Sequence, residues 1–297
     1  MTTVKDNLPI TVIIAAKNEE ANIARCISSL NRAERIIVVD SHSNDATAQF
    51  SKEHGAEVFQ FDYQGGYPKK RQWAMDNIPI HTEWILLLDA DEVIPNRLWE
   101  EIQTGIALNQ ADAFLIKKGF HFMGKPFRFG GFSHSAILLF RKGKARFEHV
   151  LDEPPDAVDM EVHERLLVDG KVARFKTPLI HQDFKGLEAY IDRHNKYSLW
   201  EARVRYQFLK TGEWGKDPVK ANAFGNIQEK RRFLKSIVCR LPFEHIFWFF
   251  YHYIICLGIL EGRCGLIACR IRSNYIAEVR AKLYEMKIKE AFTKANF

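Results

Sequence analysis

Three short, apolar, largely β-branched runs constrain this chain more than any other feature: ITVIIAA at 10–16, RIIVVD at 35–40 and EWILLLDADEV at 83–93, each followed by polar residues. Apolar runs without polar alternation predict strands buried on both faces, as in a parallel sheet covered by helices. Helical spacing over 19–30 separates the first two. A shorter strand at 58–61 and a helix over 69–77 precede the third. Repeated strand and helix predict an α/β architecture over the first third of the chain.

The pattern changes from 111 to 182 into short segments bounded by turn residues, among them AFLIKKGFHFMGKPFRFGGF and SAILLFRKG, which predict hairpins or edge strands of a mixed sheet. After 186 the sequence turns helical and basic. A length of 297 residues allows one large domain or one domain with an elaborated tail. We read 1–200 as the domain and 201–297 as a docked helical region. Charge divides the same way. Residues 1–194 hold 24 Lys+Arg against 28 Asp+Glu, and residues 195–297 hold 19 against 9. Five cysteines with no CxxC pair suit a reducing compartment. An acid before the first apolar run argues against an export signal, so a cytoplasmic location is expected.

Ligands of open α/β sheets bind outside the carboxyl ends of the strands, which makes residues just after the apolar runs the first functional candidates. Three clusters stand there: Lys17-Asn18-Glu19-Glu20, Asp40-Ser41-His42-Ser43-Asn44-Asp45 and Asp89-Ala90-Asp91-Glu92. Each alone is also ordinary turn and helix-cap chemistry. Together, on one sheet, they would face one crevice. Asp89 and Asp91 stand two apart at a strand end, and hard oxygen ligands of this kind suit Mg²⁺ or Mn²⁺ bound with phosphate groups.

The segments TVIIAAKNEEANIARCISSL, IIVVDSHSNDATAQ, LLLDADEV, FRFGGFSHSAILLFRKG, VHERL and LIHQDF occur here in the order found in family 2 nucleotide-sugar glycosyltransferases, and residues 8–200 resemble that family. The segments YPKKRQWA and KGLEAYIDRHNKYSLWEA are similar to those of the bacterial lipopolysaccharide core β-glucosyltransferase subgroup. The resemblance implies a GT-A fold, a Rossmann-like mixed sheet flanked by helices. It also implies a nucleotide sugar donor, such as a UDP-hexose, and a saccharide or lipid-linked saccharide acceptor. By position, Asp40 would meet the nucleobase, with Glu19 and the Ala15 backbone near ribose and base. Asp89 would sit by the ribose or the metal's water shell, Ala90 would belong to the donor-binding set, and Asp91 would ligate the metal with His181 closing that site. Glu164 falls at the family's catalytic base, with His163 beside it as an alternative or a helper. Lys69 and Arg71, at the start of a helix, suit the donor's anionic groups. Gly130 and Gly131 resemble the glycine loop that flanks the donor sugar. Asp183, Asp192, His194 and Tyr197 are expected near the acceptor.

The run IFWFFYHYIICLGIL at 246–260 is short of the ~20 residues that span a bilayer. Arg231, Arg232, Lys235 and Arg240 precede it and Arg263, Arg270 and Arg272 follow, so a membrane-interfacial tail is expected, against a buried core helix as the plainer reading. Other function classes fit less well. A haloacid-dehalogenase-type phosphatase shares DxDx[TV] with Asp89–Val93 but carries it on its first strand. A dinucleotide oxidoreductase needs GxGxxG after strand one, where AAKNEEANI stands. A non-catalytic membrane-binding or nucleic-acid-binding protein would explain the basic tail and leave the acidic clusters without a purpose; no nucleic-acid partner is expected.

Overall fold

The computed structural model describes residues 7–151 and 165–295. Two compact units emerge. The first comprises Met1–Pro126, Ser133–Phe147 and Glu153–Phe184, the second Phe127–Phe132, Glu148–Asp152 and Lys185–Phe297. The division falls at Phe184, so the helix expected inside a 1–200 domain belongs with the helical remainder.

In the first unit, β1 (Leu8–Ala16), α1 (Ile23–Ser28), β2 (Ala33–Asp40), α2 (Thr47–Glu53), β3 (Glu57–Gln60), α3 (Lys70–Asn77) and β4 (Trp84–Asp89) form the anticipated alternation. Then follow β5 (Glu92–Val93), α4 (Asn96–Leu108), β6 (Ala113–Phe122), β7 (Lys125–Pro126), β8 (His134–Arg141), β9 (Ala145–Phe147), β10 (Leu166–Val168), β11 (Val172–Arg174) and β12 (Leu179–His181). The main sheet runs β3-β2-β1-β4-β8-β6-β12-β5, parallel over its first four strands and mixed beyond.

The unbroken apolar runs have the cause expected of them. Val12, Ile14, Val38, Leu86 and Leu88 enter one buried cluster, and their neighbours Ile13, Ile37, Val39, Ile85 and Leu87 enter another. Successive side chains of a strand point to opposite faces, so two separate clusters mean that both faces are covered. The strand order turns at β1, which has β2 on one side and β4 on the other. Such a switch point opens a crevice at the strand carboxyl ends.

The second unit is helical: α5 (Gly186–Thr211), α6 (Ile227–Val238), α7 (Glu244–Phe250), a π-helical turn (Tyr251–Ile255), a 3₁₀ turn (Gly258–Glu261) and α8 (Gly262–Ala295). Asn226 starts α6 with a capping box, accepting from the Glu229 amide while the Glu229 carboxylate accepts from the Asn226 amide. Ala202, Tyr275, Ile276, Val279 and Leu283 make its apolar core. Two of the cations expected at a lipid surface are used inside instead. Arg232 is buried against both carboxylate oxygens of Glu148 at 2.6 Å, and Lys235 pairs with Glu201 at 3.3 Å. Among the described residues no helix is long and apolar enough to cross a membrane.

Candidate active site

Register brings the sequence clusters to one edge. Ala16 at the end of β1 lies opposite Asp40 of β2, and Ala15 lies opposite Asp89 of β4. At ~4.8 Å per strand, Asp40 and Asp89 therefore stand about 10 Å apart across the switch point. The third acid comes by another route. Strand β12 pairs with β5, setting His181 opposite Glu92, and the His181 Nε2 lies 3.1 Å from Asp91 Oδ2.

Part of these clusters is structural. The loops after β1 and β2 are laced together: the Asn18 amide donates to Ser43 Oγ at 2.8 Å, the Asn44 amide to Asn18 Oδ1 at 2.9 Å, and the Ala46 amide to a Glu20 oxygen at 3.1 Å. Asp45 accepts from the Thr47 hydroxyl and from the Thr47 and Glu20 amides; burial pushes its carboxyl up, but these donors outweigh it and hold it below the ordinary range. Asp40 is buried and accepts from the Ser43 amide and from Gln60 Nε2, both at 3.1 Å. Glu19 is half-buried and accepts from Asn22 Nδ2 at 2.9 Å.

The acids after β4 are treated differently from each other. Asp89 has both oxygens engaged, Oδ1 by Arg71 and Oδ2 by Lys118 Nζ at 2.7 Å. Burial pushes Asp89 up, yet the Lys118 and Arg71 charges outweigh it and hold the carboxyl well below the usual range. Lys118 also pairs with fully buried Glu92 at 2.6 Å. Desolvation is the largest influence on Glu92 and raises its pKa, with Lys118 opposing. Asp91 is buried, and among the described residues its Oδ1 has no hydrogen-bond partner. Burial alone would depress His181, but the Asp91 charge reverses this and pushes it up to about 9.

The remaining candidates have surroundings of their own. Lys69 and Arg71 are buried at the amino end of α3, and Arg71, expected on the donor's phosphates, holds Asp89. Ala90 is buried between the two aspartates. Gly131 lies in the second unit, where Gly130 and Gly131 take φ of +85° and +66°. A Cβ on Gly131 would come within 3.1 Å of Cys256 Sγ and 3.2 Å of His252 Nδ1, so close approach as well as backbone conformation requires glycine. His194 of α5 packs against the rings of Tyr190, Tyr197 and Tyr275 and bonds its own helix at Tyr190 O. Glu164 and His163 lie outside the described residues.

Comparison with known proteins decides the family. Residues 11–157 match the family model for Glycosyl transferase family 2. The chain carries a family 2 glycosyltransferase domain. Over 207 residues it is 28% identical to the lipopolysaccharide core biosynthesis glycosyltransferase LpsC of Rhizobium meliloti, covering 66% of this chain and 71% of LpsC. An uncharacterized glycosyltransferase of Rickettsia typhi is 28% identical over 287 residues, 94% of this chain and 88% of the relative. Among solved structures, S. aureus TarS 1-349 in complex with UDP-GlcNAc superposes with a TM-score of 0.43 at 15% identity, covering 94% of this chain and 92% of that one. The GT-A architecture implied by the resemblance, a mixed sheet flanked by helices with a helical C-terminal region, is the fold observed.

Within the glycosyltransferase domain, three side chains that motif reading missed organise the site. Lys118 bridges Asp89 and Glu92. Asn22, fully buried, donates to Glu19 and Asp183 at 2.9 Å and accepts from the Phe184 amide, tying the loop after β1 to the loop after β12. Arg25 donates to Asp91 O and Gln182 O and stacks on Phe184. Strand period could have found Lys118, which shares the inner face of β6 with buried Phe114 and Ile116 while Lys117 faces out.

The donor set fits a hard divalent cation. A buried carboxylate oxygen without a partner is costly unless something binds it. Asp91 Oδ1 is such an atom, and His181 Nε2 sits on the same carboxylate. Among the described residues no group of three acidic, His or Cys side chains gathers there. Two protein ligands suit Mg²⁺ or Mn²⁺, which keep waters and take substrate phosphate oxygens.

Proposed function

We propose that this glycosyltransferase is an inverting, Mg²⁺- or Mn²⁺-dependent hexosyltransferase that uses a nucleotide diphosphate sugar of the UDP-glucose type. Its acceptor is a lipopolysaccharide core or a lipid-linked envelope glycan. The observation that carries the reading is the orphaned, buried Asp91 Oδ1 beside His181 at the end of a sheet whose switch point also holds Asp40 and Asp89. The family match supports the reaction class, and the name of LpsC supports the acceptor class.

In this reading Asp91 and His181 hold the cation, which when bound supplies Lewis-acid neutralisation of charge on the departing nucleotide. Asp40, Glu19 and Ala15 form the nucleoside side. Asp89, fixed by Arg71 and Lys118, stands by the ribose with Ala90, and Lys69 with Arg71 offsets the donor's negative charge. Gly131 flanks the donor sugar. Glu164 takes the proton of the acceptor hydroxyl as the anomeric carbon is attacked from the face opposite the leaving diphosphate, so no covalent enzyme intermediate is needed. The enzyme works as a peripheral protein on the cytoplasmic face of the cell membrane, a place that suits the excess of cations in 195–297.

A panel of nucleotide sugars with Mn²⁺ or Mg²⁺, scored by nucleotide release with and without lipid-linked acceptors, tests the reading. Glu164→Gln should retain donor binding and lose transfer. Normal transfer by that variant would remove Glu164 from the mechanism.

A further inference from the structure

The run 243–261 is folded with its polar side inward. Exposed apolar residues recur at helical spacing through α7 and the π-helical turn: Phe243, Phe247, Phe250 and Ile254, with Ile255, at 71% exposure, and Leu260 continuing the face. Both acids of the same run, and His252, are buried. Glu244 accepts from Arg205 at 2.7 Å and from Trp248 Nε1 at 3.2 Å. His252 donates through Nδ1 to Gly130 O at 2.6 Å. Glu261 accepts from the Arg128 and Phe129 amides at 2.7 and 2.9 Å. A helix at a water surface normally shows the reverse arrangement.

We propose that this face docks in the plane of an anionic lipid bilayer. The inference rests on the membrane-face reading above and gives it a surface. Charge selects the occupant. Between 231 and 277 the only acids are Glu244 and Glu261, both buried and hydrogen-bonded, whereas Arg240, Arg263 and Arg270 are exposed on either side of the run. Cations beside an apolar, aromatic-rich face match phosphate headgroups above acyl chains. A second copy is the poorer occupant, because a twofold interface would set the same cations against themselves. The run is also fastened on its inner side to 128–130, where the Gly130 amide donates to Cys256 O at 2.7 Å. Lipid contact should therefore be felt in that glycine loop.

Co-sedimentation of the full chain with phosphatidylcholine vesicles, with and without about one-third phosphatidylglycerol, tests this, alongside calorimetry of Mn²⁺-dependent UDP binding. The expected result is binding to anionic vesicles at least about tenfold tighter than to neutral ones and weakened by salt. Phe247→Asp with Ile255→Asp should lower vesicle binding at least about tenfold with UDP binding unchanged. Arg240→Glu with Arg263→Glu should remove the preference for phosphatidylglycerol. Should the aspartate variant misfold, Ile255→Trp serves instead: its emission should shift to the blue on vesicles and be quenched by brominated lipid. Amide exchange of 128–130 should slow on vesicles. The proposal is overturned if wild type stays in the supernatant, if the charged variants bind as wild type does, if the Ile255→Trp emission ignores lipid, or if wild type is a dimer that Phe247→Asp dissociates. Vesicle binding without UDP binding would break the enzyme reading alone, and UDP binding without vesicle binding would break this one alone.

Discussion

The two units handle buried charge in opposite ways. In the sheet unit, acids gather at strand ends, and cations are brought to them from α3 and β6, while among the described residues Asp91 Oδ1 is left without a hydrogen-bond partner. In the helical unit the buried acids are paired with arginines, Glu201 and Glu244 with Arg205 and Glu148 with Arg232, while apolar side chains of the run 243–261 and cations such as Arg240 and Arg263 are exposed. On the proposed function, the incomplete set of partners would take a small cation, and the paired acids with an apolar exterior would take a lipid surface.

The comparison breaks most readily at Lys118. Lys118→Met leaves Asp89 and Glu92 buried without their shared cation, and a loss of about 3–5 kcal/mol in urea unfolding is expected, since removing one member of a buried pair strands the other. A near-neutral variant would mean that the strand-end acids do not depend on imported charge.

In the helical unit the corresponding probe is His194. Burial lowers its pKa to about 4, so it is neutral when folded and charges more readily when unfolded. Its stabilising contribution is complete above the unfolded value of ~6.5 and is lost as pH falls toward 4, costing on the order of 2 kcal/mol by pH 5. Urea unfolding of wild type and His194→Gln at pH 7 and pH 5 checks this: the variant should lack that component.

His181 gives the sheet unit its own pH signature. Because Asp91 pushes it up to about 9, it carries a proton at pH 7 that the proposed metal would have to displace. Mn²⁺ affinity should rise up to about tenfold per pH unit from 7 and level off near 9, with proton release measurable by calorimetry in two buffers. His181→Gln should flatten the profile. The smallest effect is expected at the exposed pair of Arg35 and Glu57, 2.7 Å apart, where Arg35→Ala should cost no more than about 1 kcal/mol.

Much of the sheet was legible because strands covered on both faces leave no polar alternation, and ITVIIAA, RIIVVD and WILLLD mark β1, β2 and β4 at their carboxyl ends within a residue or so. The third run broke into β4 and β5 because the Asp89–Asp91 turn interrupts it, and the helix expected over 19–30 shrank to Ile23–Ser28 because 17–22 is occupied in lacing loops. Asp91 and His181, which the resemblance assigns to one site, lie 3.1 Å apart. Lys118 was missed because its partners lie 26 and 29 positions away, beyond any local pattern. Arg71 was expected on phosphate and is found on Asp89, since strand ends bring that acid closer than a motif can show. In the helical region hydropathy gave the apolar run, but which side of it faces out depends on Glu244, His252 and Glu261 finding partners far along the chain.

The most direct test is calorimetry of UDP binding with and without Mn²⁺, in wild type and in Asp91→Asn. Wild type should bind UDP tightly only with the metal, and Asp91→Asn should lose more than about 100-fold of that binding while still unfolding in one cooperative urea transition. Equal Mn²⁺-dependent affinity in the two proteins would contradict a cation held at Asp91.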